Sequence, residues 1–333
     1  MRLGPTDTET LQNDYLTALE MRRKAHEMGA LFGGRLPHPP SFVPGGFTTT
    51  PRQARITQFQ SYLTELIPFI ENTYIPDVGL VAKNYKDYYS VGRGSGNLLA
   101  YGVFDLDYTG NAKLLKRGRV VNGSTTVQSV DVSAITKSVT DSWYSDTTNN
   151  LNPAVGATVP KYPKKNGYSW LKAPRYSGAA YEAGPLARMW VNGDYRYGIS
   201  VMDRHEARAQ EALKVANAMQ TWVSQLNPIG PVCDRYTTPV TAKSYGLTEA
   251  PRGALGHWVS ITNSLVSRYQ VVTPTCWNAS PKDSKGQRGP IEQALVGTPV
   301  RDTAEPIEVL RVIHSFDPCL ACAVHVDAAR RRC

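Results

Sequence analysis

Asp317-Pro318-Cys319-Leu320-Ala321-Cys322-Ala323-Val324-His325 is the stretch on which the reading of this chain turns. If it is helical, residues three apart are neighbours on one face, so the thiols of Cys319 and Cys322 can point toward a common site. Thiolates are soft ligands for transition metals, and metal binding keeps them deprotonated. A structural zinc site would need a second ligand pair, yet Cys233 and Cys276 stand alone without Cys-x-x-Cys spacing. A thioredoxin-like redox pair would need a βαβ setting, which the flanking pattern does not offer. Two buried structural thiols are the plainer alternative.

Working outward, residues 306–316 read as a short helix that stops at Asp317-Pro318. Glu249-Ala250-Pro251-Arg252-Gly253-Ala254-Leu255-Gly256-His257-Trp258 places Pro and Gly around an arginine, a turn that could hold a guanidinium over a site and donate to anionic ligands. Taken alone, such an arginine is as well explained by surface exposure or a salt bridge. Gly92-Arg93-Gly94-Ser95-Gly96 lacks the spacing of a dinucleotide fingerprint and the Lys-Ser/Thr of a P-loop, so it reads as a flexible turn.

The remaining elements follow from periodicity. Residues 9–31 read as a helix with Leu11, Tyr15, Ala18 and Leu19 near one face, stopped at Gly33-Gly34. Residues 35–46 carry too many prolines and glycines for regular structure. Thr50 looks like an N-cap with Pro51 at the first helical position, opening a helix on Ile56, Phe59, Leu63, Leu66 and Ile70 that Pro68 should kink. Residues 98–175 suggest small strands among long loops. Helical pattern returns over 181–191 and 204–226, and 258–272 is ambiguous between strand and helix. The expected fold class is mainly α with a minor β part, an α+β arrangement in a single domain over 1–333.

The 333 residues, 41% hydrophobic, can bury a sizeable core, which argues against general disorder. A net charge of +9 permits an anionic partner. The clusters Lys113, Lys116, Arg117, Arg119 and Arg330, Arg331, Arg332 lack interleaved aromatics. Lys161, Lys164, Lys165, Lys172 and Arg175 alternate with Tyr162, Tyr168, Trp170 and Tyr176, a pattern that could stack single-stranded nucleic acid, although a solvated loop is the simpler reading. Five cysteines, Cys233, Cys276, Cys319, Cys322 and Cys333, do not make a secreted disulfide framework. The sequence carries no apolar run of membrane-spanning length and no signal peptide of its own, so a cytoplasmic or membrane-associated location is expected.

Together these segments resemble the large subunit of [NiFe]-hydrogenases. The resemblance extends over 31–46, 168–189, 204–211, 249–258, 274–283, 286–299 and the Cys319/Cys322/His325 ending, and it absorbs the basic-aromatic loop, so no nucleic-acid partner is expected. It implies a large-subunit helical core and reversible heterolytic cleavage of H₂ at a Ni-Fe centre with CO and cyanide on iron. Cys319 would be a nickel ligand and Cys322 a bridge between nickel and iron. His325 and the Val271 carbonyl would bind Mg²⁺. Arg252 would overhang the centre with Pro251 shaping its loop, Thr275 would hydrogen-bond a cyanide, and Asp317 would pair with the Arg252 guanidinium. Implied partners are an iron-sulfur small subunit, because no spare cysteine set is present here to hold clusters, together with a maturation protease and nickel-insertion factors. Bland roles are expected elsewhere: His38 in a loop, His257 buried and satisfied, Arg204, Arg208 and Glu211 on a solvated helix face, and Cys233 and Cys276 as packed thiols.

The sequence also departs from the family. Its first cysteine is Cys233, so the N-terminal Arg-x-Cys-Gly-x-Cys segment that supplies two further thiolates has no counterpart, nor does the family's acidic Mg²⁺ ligand. The resemblance therefore implies an N-terminally incomplete member, inactive as this chain alone, with a separate chain supplying the N-terminal half as one route to a full site. Residues 326–333 match in position the tail that a maturation protease removes, which leaves precursor, fragment and split subunit as alternatives. A non-catalytic structural subunit of the same fold, or a zinc-binding interaction module, are the competing functions.

Overall fold

The apolar periodicity around 9–31 belongs to a longer helix in the computed structural model, which describes residues 2–323. This helix, α1 (Pro5–Gly33), opens with Pro5 in its first turn and closes at Gly34, whose positive φ of 82° lets its N–H reach the Ala30 carbonyl at 2.8 Å. Its buried contact is at the C-terminal end, through Met28, while Tyr15 and Leu19 are exposed. Residues 35–46, expected to be irregular, include a minimal hairpin of β1 (Phe42–Val43) and β2 (Gly46–Phe47). Gly46 is required there: at φ +148° a Cβ would lie 2.3 Å from the Val232 carbonyl oxygen. Cys233, beside that contact, is exposed rather than packed, because the segment around it lies along the surface against Pro44.

The next helix, α2 (Gln53–Phe69), starts later than the Thr50 cap predicts. Arg52 occupies the cap position without a side-chain bond, and the Thr50 carbonyl instead accepts from the Arg55 guanidinium at 2.8 Å. Pro68 lies inside α2 and does not end it. Two residues later the chain widens into a π-helical turn, Ile70–Tyr74, and resumes as α3 (Ile75–Asn84), a local adjustment to the hydrogen bond that a proline cannot donate. Met28, Ile56, Leu63 and Val223 form the core of this first compact unit, residues 1–86 with 208–238, and Phe32 packs on Phe59 with ring centroids 5.5 Å apart.

The second unit comprises residues 87–207 and 239–333. Its strands are short antiparallel pairs, as the texture of 98–175 predicts: β3 (Leu98–Ala100) with β6 (Gly118–Val120), β4 (Val103–Asp105) with β5 (Lys113–Leu115), and β7 (Ile135–Ser138) with β8 (Ala173–Tyr176). Then come α4 (Pro185–Asn192) and α5 (Val201–Ser224), the latter belonging to this unit up to Ala207. The ambiguous 258–272 stretch is strand: β9 (Ala242–Ala250), β10 (Gly253–Thr262) and β11 (Leu265–Val272) make an antiparallel sheet with β10 in the middle. Four short helices follow, α6 (Pro274–Asn278), α7 (Pro290–Leu295), α8 (Ile307–Ser315) and α9 (Leu320–Ala323).

Strand alternation divides this unit's interior in two. Leu98 and Ala100 of β3 face a cluster with Leu115, Val120, Leu186 and Trp190, whereas Leu99 and the following Tyr101 face one with Ile135, Trp258, Val272 and Trp277. The hydrophobic groups are stitched by buried ion pairs that the sequence reading placed in solvent. Arg204 is 2% exposed and paired with Glu182, and Arg175 is equally buried against Asp283. Lys164 and Lys172 turn inward to carbonyls of Val139, Tyr144 and Ala157, which leaves Lys161 and Lys165 as the solvated part of that loop. Helix accounts for 39% and strand for 19%, so the chain is mainly α with a minor β part. No helix among the described residues is long and apolar enough to cross a membrane.

Candidate metal centre

The turn that joins β9 to β10 consists of Pro251 and Arg252. It sits on the start of α4, and Gly253 makes this possible: with φ +131°, a Cβ there would lie 2.6 Å from the Gly184 nitrogen and 2.8 Å from the Ala183 carbonyl carbon. From this turn the Arg252 side chain, partly exposed, reaches Asp317. Its Nε donates to the Asp317 carbonyl oxygen at 2.8 Å, and Nη2 lies 3.3 Å from Oδ1.

Asp317 itself has φ +49°, a left-handed conformation that aspartate tolerates better than most residues. Its N–H donates to the His314 carbonyl at 2.9 Å, closing the end of α8, and the chain then turns through Pro318 to Cys319. The Cys319 N–H donates to Thr275 Oγ1 at 3.1 Å. Thr275 is buried on α6, which is anchored in turn by Asn278, whose side-chain amide exchanges bonds of 2.7 and 2.9 Å with the Ala183 backbone. Arg252 of the β9–β10 turn, Thr275 of α6 and the loop that holds both Asp317 and the half-buried Cys319 are therefore brought together from three separate segments, with Pro251 next to Arg252 in sequence. Cys322 lies in α9, one helical turn after Cys319. His325 lies outside the described residues.

Val271 occupies a different place. It is on β11, in the wall of a cavity of about 510 Å³ whose lining includes Lys137, Tyr144, Trp170, Lys172, Gln270 and Cys276 but neither Arg252 nor Cys319. Lys137 is almost fully buried there and bonds to Gln270 Oε1. Burial pushes its ammonium down to about 7, with the Lys172 charge adding to the effect and Cys276 opposing it. Lys172 is pushed down to about 8, again mainly by burial.

A pH dependence follows. Between about pH 7 and 10.5 the unfolded chain holds a proton on Lys137 that the folded chain lacks, so this residue's contribution to stability rises with pH across that window. Lys137→Met is expected to be more stable than wild type at pH 6, by a margin that shrinks on going to pH 9. Urea unfolding at the two pH values checks this, and a constant margin would contradict it.

The donors fit a transition metal in kind: Cys319 is a soft ligand beside a hydrogen-bonding cation. Among the described residues, which do not include His325, there is no group of three or more His, Cys, Asp or Glu able to hold a metal ion. The Val271 cavity fits Mg²⁺ less well, since its lining has two lysines and no carboxylate.

Sequence reasoning missed Arg188. It is the only charged residue of α4, whose sequence Pro-Leu-Ala-Arg-Met-Trp-Val-Asn is otherwise apolar up to its last position. A lone cation in such a run was the available signal. Its Nη1 donates to Glu249 Oε2 at 2.9 Å and to the Ala250 carbonyl at 3.1 Å, and its Nη2 to the Pro251 carbonyl at 2.8 Å. His257, expected to be buried, is only half-buried and is satisfied by the Tyr269 hydroxyl at 2.5 Å.

The comparisons give the class of protein to which this fold and this group of residues belong. The model of the nickel-dependent hydrogenase family matches residues 1–196 and 194–325, and the chain belongs to that family. It is 38% identical over 339 residues to the periplasmic [NiFeSe] hydrogenase large subunit of Desulfomicrobium baculatum, covering 94% of this chain and 66% of that one. It is 35% identical to the uptake hydrogenase large subunit of Bradyrhizobium diazoefficiens, covering 94% and 63%. Among solved structures, the Ni-Fe-Se hydrogenase of D. vulgaris Hildenborough in its as-isolated oxidised state superposes with a TM-score of 0.93 at 37% identity, over 97% of this chain and 72% of that one. The chain thus spans slightly less than two thirds of the length of these curated relatives.

Proposed function

We propose that this chain is the part of a hydrogenase catalytic large subunit that carries one thiolate pair of a Ni-Fe centre and the arginine facing it. The observation that supports this best is the convergence of Arg252, Asp317, Thr275 and Cys319 on one place through specific hydrogen bonds. Cys319 and Cys322 would hold nickel, with Cys322 shared with iron. The remaining thiolates would come from outside these 333 residues, whose other cysteines are Cys233, Cys276 and Cys333. When bound, the centre, with CO and cyanide on iron, would supply the Lewis acidity and electron transfer for H₂ ⇌ 2H⁺ + 2e⁻.

The chain's own residues would handle protons and orientation. The Arg252 guanidinium would offer donors held by its bonds to Asp317, while Asp317 Oδ1 would accept a proton relayed past it. Thr275 Oγ1 accepts from the Cys319 N–H, which leaves its own O–H to donate to a diatomic ligand such as cyanide. Electrons would leave through an iron-sulfur small subunit, since two lone cysteines and a terminal one cannot bind clusters here.

In a nickel-loaded complex, Arg252→Lys keeps the charge but loses the Nε–H donor to Asp317. H₂ turnover is expected to fall on the order of 100-fold, the lower end of what a positioned proton-transfer group contributes. Nickel content is expected to stay unchanged. Turnover within twofold of wild type would contradict the Arg252 role, and a nickel-loaded complex without any H₂ turnover would overturn the proposed function.

A further inference from the structure

We propose that Arg188 is the positioning residue of this centre, acting on Arg252 through the backbone of the turn that carries it. The inference rests on the proposed role of Arg252 and adds a residue that touches no reacting atom.

Three observations carry it. The guanidinium of Arg188 is 3% exposed and faces Glu249, whose side chain is 2% exposed, so the pair is desolvated and geometrically committed. The same guanidinium donates to two successive carbonyls, Ala250 at 3.1 Å and Pro251 at 2.8 Å. Fixing the peptide planes on both sides of Pro251 fixes the direction in which the chain enters Arg252. Finally, the backbone beyond Arg252 has no slack, because Gly253 abuts Ala183 and Gly184 at the start of the helix that bears Arg188.

The turn is therefore clamped on one side by a side chain of α4 and on the other by that helix's own N-terminal backbone. Arg252 leaves the clamp with its backbone direction set, so only its side-chain torsions remain to be ordered when it bonds to Asp317. The αL conformation of Asp317 is held in turn by the Arg252 bond to its carbonyl, and it delivers Cys319 to Thr275. Arg188 thus sits at the head of a relay that ends at a metal-binding thiol.

The test needs neither metal nor turnover. In the full chain labelled with ¹⁵N-arginine, the Arg252 Nε–H signal, assigned by its loss in Arg252→Lys, reports the bond to Asp317. In Arg188→Gln its exchange with solvent is expected to speed up about fivefold to tenfold, the worth of one hydrogen bond. The Nε–H signals of Arg175 and Arg204, bonded to Asp283 and Glu182, are expected to remain protected. Unchanged Arg252 exchange would overturn the proposal, as would equal loss of protection at all three. Should Arg188→Gln fail to fold, Arg188→Lys decides, because it keeps the charge opposite Glu249 but cannot also span both carbonyls. Faster exchange at Arg252 alone supports the assignment, and wild-type exchange there refutes it.

Discussion

Replacing Arg204 by methionine is expected to lower folding stability by about 3–5 kcal/mol. The Arg204 Nε and Nη2 donate to the two carboxylate oxygens of Glu182, each at 2.7 Å, and the two side chains are 2% and 6% exposed. The guanidinium also lies 3.7 Å from the centroid of the Phe316 ring. Methionine fills similar volume but leaves Glu182 as a buried carboxylate without its counter-ion, and that is the source of the cost. A domain is typically stable by about 5–15 kcal/mol, so roughly a fifth or more of the margin is at stake. The double variant Glu182→Met with Arg204→Met removes both charges and is expected to recover most of the loss. Urea unfolding of wild type and the two variants measures this, and a loss below about 1 kcal/mol for Arg204→Met, the range of a solvated pair, would contradict it. Phe316 directly precedes Asp317, so this pair also steadies the segment that leads to Cys319.

Arg204 marks the limit of what the sequence reveals. A helix over 204–226 is legible from Leu213, Ala216 and Met219, but periodicity cannot tell whether an arginine at its start faces water or a distant glutamate. Glu182 lies 22 positions away, in a segment that precedes α4. Arg175 and Lys164 were misjudged for the same reason: a basic loop looks solvated until the carbonyls and carboxylates it encloses are seen. Helix ends set by glycine were legible, as at Gly34, whereas the start of α2 was not. There the Thr50 and Pro51 signals were strong locally, but the Thr50 carbonyl was taken by the Arg52 N–H and the Arg55 guanidinium, and the helix began only after Arg52. The hairpin of β10 and β11 could not be separated from a helix by composition, since its paired strands are apolar on alternate residues only in part.

The candidate site was legible as a set of residues and silent as a geometry. The Cys-x-x-Cys spacing and the Pro-Arg-Gly turn are local signals. The bond from the Arg252 Nε to the Asp317 carbonyl links positions 65 residues apart, and its consequence, a left-handed Asp317 that turns the chain toward Thr275, has no sequence signature of its own. Arg188 was readable only as an anomaly, a charge within an apolar helix.

Cys319→Ser is expected to abolish nickel retention while leaving the fold intact. The site holds Cys319 by its backbone, through the N–H bond to Thr275 Oγ1, and serine keeps that bond. What serine cannot keep is the ligand: its hydroxyl is neutral at pH 7 and hard, whereas nickel at this position needs a deprotonated, soft donor. Because Arg252 and Asp317 pair with each other, their geometry should survive the exchange. The loss is therefore specific to the metal, and circular dichroism of the variant should match wild type.

Nickel per polypeptide, measured by mass spectrometry on wild type and Cys319→Ser, each produced with hydrogenase maturation factors and the remainder of a large subunit, tests the central claim most directly. About one nickel in wild type and essentially none in the variant is the predicted result, whereas a nickel-free wild-type complex, or equal nickel in both proteins, would contradict it.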